Sequence, residues 1–159
     1  MKRLISINDC EFYTHLRLLF KELQIPDDFR WLVTDIEAHS IDQEFDSFLS
    51  DNSKYFICTH KELKAWLEKD DVQWIWGVFS LFGSTISKDK ILISELPRIS
   101  DEHHRPHLFD DDVPTIQHSL AILEIDAFDS TFMVMTSKED KYIDIFKKLY
   151  PLSTINFKQ

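Results

Sequence analysis

One segment constrains this chain more than any other. From Val72 to Phe82 the sequence reads VQWIWGVFSLF, and both alternating sets of side chains are apolar. In an extended strand, Trp74, Trp76, Val78 and Ser80 share one face, while Ile75, Gly77, Phe79 and Leu81 share the other. A strand of this kind is stable only when both faces are covered, so the fold must place it centrally with a layer on each side. A two-faced core strand explains the two tryptophans without a stacked ligand. Gly77 then marks a bulge or the close approach of a helix.

The rest of the chain supplies material for those layers. It has 159 residues, 43% of them apolar, with 13 Phe, 4 Trp and 4 Tyr. That is enough for one domain with a bulky aromatic core and no need of a metal or disulfide staple. Three helices are predicted. The first spans about Asp9 to Leu23, with Phe12, Leu16, Leu19, Phe20 and Leu23 on one stripe, Asn8 and Glu11 at its start and Pro26 beyond its end. The second spans about His60 to Lys69, opened by a Thr59/Glu62 capping box and packing Leu63, Trp66 and Leu67. The third spans about Lys138 to Leu149, with Ser137 as cap, Tyr142, Ile145, Phe146 and Leu149 as stripe, and Pro151 as stop.

Further strands are predicted at Phe29–Ile36, Lys90–Leu96, Leu120–Ala127 and Thr131–Thr136, with a short last one at Ser153–Phe157. The pair around Phe128-Asp129-Ser130 reads as a hairpin. With only Gly77 and Gly83 available, tight primed turns should be few. The order of elements indicates a single α+β domain over residues 1–159: a mostly antiparallel or mixed sheet with about three helices packed on it.

Charge narrows the function. The chain carries 28 acids against 18 Lys and Arg, a formal charge of −10. That opposes direct nucleic-acid binding and docking on anionic lipid. Two stretches lack any base. One, from Asp35 to Ser53, holds Asp35, Glu37, Asp42, Glu44, Asp46 and Asp51. The other, from Pro106 to Ser137, holds Asp110, Asp111, Asp112, Glu124, Asp126 and Asp129. Uneven fields of this kind steer basic partners, although a solvated acidic coat has the same composition.

Motif chemistry is sparse. The cluster from Asp101 to Asp112 contains His103, His104 and His107 among five carboxylates and is a weak metal candidate. Pro106 disfavours a regular helix there, and no HExxH or EF-hand spacing is matched. A partner-contacting loop is the simpler reading. Glu124 and Asp126, two apart in a strand, point to one face; they suit either an acid/base pair or an acidic edge emerging near a turn. No GxSxG, GxGxxG or P-loop is present, and no cofactor is expected. Cys10 and Cys58 lack metal or redox spacing and read as small core residues. The N-terminus lacks the apolar stretch of a signal peptide, and the uncharged run ending at Lys88 is too short to span a bilayer, so a cytoplasmic protein is expected.

The run SLAILEIDAFDSTFMVMTSKEDKYIDIFKKLYP reads as strand, acidic turn, strand and capped helix. Together with the Trp-rich strand it resembles, from Trp74 to Pro151, small bacterial immunity proteins of polymorphic toxin and contact-dependent inhibition systems. The likeness lies in element order, so it carries over no residue roles. It implies a non-enzymatic protein that binds and neutralises a cognate toxin, often a basic nuclease. Asp35, Glu37, Asp42, Glu44 and Asp46 are then the first candidates for contact, followed by Asp110 to Asp112 and by Glu124 and Asp126. The alternatives are a regulatory or scaffold domain, or a metal-assisted hydrolase built on the His103 to Asp112 loop.

Overall fold

The computed structural model describes residues 1–6, 16–69, 72–100 and 113–155. In chain order these form β1 (Lys2–Ser6), α1 (Arg17–Glu22), β2 (Arg30–His39), α2 (Gln43–Asp51), β3 (Tyr55–Thr59), α3 (His60–Lys69), β4 (Gln73–Phe82), α4 (Lys88–Leu92), β5 (Leu123–Phe128), β6 (Phe132–Ser137) and α5 (Asp140–Leu149). The strands make one sheet in the order β1-β6-β5-β4-β2-β3, antiparallel throughout. The fold is α+β, as expected, with the Trp-rich β4 inside the sheet.

The layers follow from burial. On one face α1, α2, α3 and α5 enclose Trp31, Val33, Phe79, Ile125 and Met135. Among these helices, the stripe residues Leu16, Leu19, Phe20, Leu63, Tyr142 and Phe146 are fully buried. The opposite face carries two smaller apolar groups, one around Val78, Ile99 and Val134 and one around Leu32, Phe82 and Ile91. The chain between β4 and β5, with α4 in it, contributes Ile91, Ile99, Ile116 and Ala121 to this cover.

Local signals that need no distant partner are realised closely. Helix α3 spans His60–Lys69 as predicted and begins at its capping box. Glu62 Oε2 accepts the Thr59 N–H at 2.8 Å, and the Glu62 N–H donates to Thr59 Oγ1 at 3.2 Å. The β5–β6 turn closes through Thr131 N–H to Phe128 C=O at 2.9 Å. It is a primed turn built without glycine: Asp129 and Ser130 both take left-handed φ, 47° and 53°. Short polar side chains tolerate that region better than most.

Several expectations are corrected. Lys90–Leu96 is not a strand; Ser87 Oγ accepts the Lys90 N–H and opens α4, which buries Ile91 and leaves Ile93 83% exposed. Ser137 does not cap α5; its hydroxyl accepts the Glu139 N–H in the turn before the helix, and Glu139 is the capping residue. Of the last predicted strand, Ser153–Phe157, the described residues form one bridge, between Thr154 and Ile5, and the rest lies outside the described residues. Strands β1 and β3 and helices α2 and α4 were not predicted. The first half of the first predicted helix, with Cys10, lies outside the described residues.

Trp74 and Trp76 do not share a face. Between the pairs Glu37↔Trp76 and Ala38↔Trp74, one step on β2 matches two on β4, so Ile75 is extra. Trp74 therefore turns to the helical face against Phe79, with ring centroids 4.7 Å apart, while Trp76 packs on Phe128 at 4.8 Å on the other side. Gly77 sits against the indole of Trp74 rather than a helix.

Candidate partner-binding face

Register explains where the predicted acids go. Arg3, Thr136, Glu124, Ser80, Leu32 and Ile57 form one row across all six strands. The next row on that face is Ile5, Val134, Asp126, Val78, Thr34 and Tyr55. Glu124 and Asp126 do share a face, but they stand in the middle of the sheet under its cover, and both are fully buried. The expectation of an acidic strand end facing a partner is overturned. They emerge nowhere near solvent, because the chain from β4 to β5 closes over them.

Burial has a cost for such groups. It pushes the Glu124 carboxyl up to about 7, against the Gln117 hydrogen bonds and the buried Arg3 guanidinium, which favour its charged form. Asp126 is pushed well above the carboxylate range by burial first and by Glu124 second, and neither of its oxygens has a hydrogen-bond partner among the described residues. Both carboxyls are fully buried and shifted in the same direction, so the pair lacks the opposed environments that an acid and a base require. Among the described residues no three His, Cys, Asp or Glu side chains converge as a metal group.

Asp35 is also structural. It is an extra residue on β2 with φ 53°, and its carboxylate accepts the N–H groups of Ile99 and Ser100 at 2.7 and 2.6 Å and the Ser100 hydroxyl at 2.6 Å. Beside it, Thr34 Oγ1 donates to Pro97 C=O at 2.8 Å. These bonds pin the cover to the sheet, so Asp35 is a poor candidate for a contact residue.

Of the remaining acids of the first stretch, Asp42, Glu44, Asp46 and Asp51 belong to α2 and its cap, while Glu37 pairs with Trp76 on the sheet face opposite the helices. Asp42 caps the helix, accepting the Phe45 N–H at 2.9 Å, and Asp46 accepts the Ser40 N–H at 3.0 Å. Glu37, Glu44 and Asp51 are exposed. The acidic stretch hid an amphipathic helix whose Phe45 and Leu49 are buried. Between α2 and α3, Phe45, Phe48 and Trp66 form an aromatic cluster: Phe45 and Phe48 stack at 5.9 Å, and Trp66 lies 5.4 and 5.1 Å from them. These residues were missed as a site, although the i, i+3 spacing of the two phenylalanines was the available signal. His103, His104, His107 and Asp110 to Asp112 lie outside the described residues.

Two buried groups complete the picture. The Cys58 thiol is pushed up by burial, which removes it as a nucleophile. His60 accepts the Trp31 indole N–H at 3.1 Å, and burial lowers its pKa, so it is a neutral core residue. No described helix is long and apolar enough to cross a membrane. Comparison with protein-family models, curated proteins and solved structures finds no match.

Proposed function

We propose that this chain is an acidic binding protein that neutralises a basic partner, a toxin domain of the nuclease kind, by covering its active site or substrate surface. The observation that carries the reading is helix α2. It has acids in its first turn and none of its last-turn residues is basic, and Asp51 stands at its carbonyl end. A carboxylate there opposes the helix macrodipole, at about 0.3–1 kcal/mol. Functional surfaces are where such local rules tend to be broken, and this supports the reading.

The mechanism has two parts. Exposed Glu37, Glu44 and Asp51 raise the encounter rate with a basic surface, and the half-buried Phe48 and Trp66 supply apolar anchors. The cytoplasm is the compartment this role requires. Nothing in the described geometry favours the metal-hydrolase alternative.

A tagged pull-down from the native cell, at low and high salt, tests it. One basic protein held at one-to-one, with association slowing as salt rises, is the expected result. The variant Glu37→Lys/Glu44→Lys/Asp51→Lys should lose most of that binding without unfolding. Unchanged affinity and salt dependence in the triple variant would overturn the proposal.

A further inference from the structure

We infer that the pocket between α2 and α3 is a receptor for a single guanidinium side chain, the arginine anchor of the partner. This rests on the binding-protein reading and goes on to name what the surface recognises. The pocket has a volume of about 220 Å³ and is lined by Asp42, Glu44, Phe45, Phe48, Trp66 and Lys69. Its aromatic members are the three clustered rings, and ring faces attract cations through their quadrupole.

Charge decides the kind of occupant. Two carboxylates against one ammonium leave the lining net negative. The positive end of α2 opposes a cation, but Asp42, Glu44 and Asp46 crowd that same end and outweigh its roughly half charge. Asp42 is committed to capping. Glu44, exposed on the rim, has no hydrogen bond or ion pair with any described residue, so its carboxylate is available. Arginine suits this arrangement better than lysine. Its planar guanidinium stacks on the Trp66 indole while its fork meets Glu44, and it loses less hydration on leaving water.

The test uses the isolated protein and needs no partner. Nα-acetyl-arginine methylamide is titrated in by NMR, with the neutral citrulline analogue as control. The arginine probe should shift the Trp66 indole and the Phe45 to Phe48 amide resonances saturably. Citrulline should bind more weakly by about fivefold, the factor that ~1 kcal/mol of cation–π attraction represents. Trp66→Leu should abolish the Phe45 to Phe48 amide shifts, and Glu44→Gln, at an exposed position, should weaken all of them. Equal binding of citrulline, or no shift localised to this pocket, overturns the inference. Either failure leaves the salt-dependent capture of a basic partner standing, and a failed capture leaves arginine binding by the pocket intact.

Discussion

The indole of Trp74 lies directly over Gly77: a Cβ at position 77 would stand 3.0 Å from Trp74 Cε3 and 3.2 Å from Phe79 Cε2. The contact exists because the bulge at Ile75 turns Trp74 to the helical face, where the ring folds back along its own strand. Gly77→Ala should therefore destabilise the domain by about 1–3 kcal/mol, the usual range for overpacking. Gly83 is the internal control, since a Cβ there meets nothing within 4 Å. Gly83→Ala should stay within about 0.5 kcal/mol of the parent in urea unfolding. Equal effects at the two positions would show that the ring gives way freely.

Stability should fall as pH rises through neutrality. Glu124 and Asp126 have folded-state pKa values raised above their unfolded values, so their protonated forms suit the fold. Below pH ~4 both states are protonated and no penalty arises; from there the penalty grows until pH passes the folded value, about 7 for Glu124. Glu62 works the other way: the Thr59 hydrogen bonds lower its pKa, so its contribution is lost as pH falls below ~4. Chemical denaturation should thus be hardest between about pH 4 and 5. Asp126→Asn, an isostere of the neutral acid, should flatten the decline above about pH 4. An unaltered slope in that variant would assign the decline to surface repulsion.

The carboxylate of Asp35 ties β2 to the chain that covers the sheet. Asp35→Ala removes three hydrogen bonds and leaves a left-handed φ without a short polar side chain to favour it. The expected loss is about 2.5–4 kcal/mol, from charged hydrogen bonds at about 1.5–3 kcal/mol and the backbone preference at about 1. Hydrogen exchange of the Ile99 and Ser100 amides should speed up more than that of the core strands. Asp35→Asn keeps the backbone preference and one acceptor, so it should fall between. Full protection of both amides in the alanine variant would show that the cover is held elsewhere.

Legibility followed the range of the interactions. The α3 capping box lies within four residues, and helix and box appear together as predicted. The β5–β6 hairpin stands where the pattern around Phe128-Asp129-Ser130 predicts, and Asp129 and Ser130 take the left-handed φ for which glycine is the usual residue. Strand β3, only five residues long, and β1 at the other edge carry too little alternation to stand out. In Lys90–Leu96 the alternating Ile91 and Ile93 imitate a strand, while the cap at Ser87 decides for a helix. The acids of α2 masked a helix because their number was read as field rather than as one face of an amphipathic element.

By itself, the sequence determined a two-sided central strand, an α+β architecture, the positions of α3 and α5 and the pairing of Glu124 with Asp126 on one strand face. Those follow from periodicity and capping, which act within a few residues. Only the tertiary structure decided that the two carboxyls are sealed in the sheet, that Asp35 is a fastener and that Trp74 and Trp76 part company. Each depends on which distant segment lies opposite. Register, bulges and the closing of one segment over another come from contacts far apart in the chain, and no local pattern encodes them.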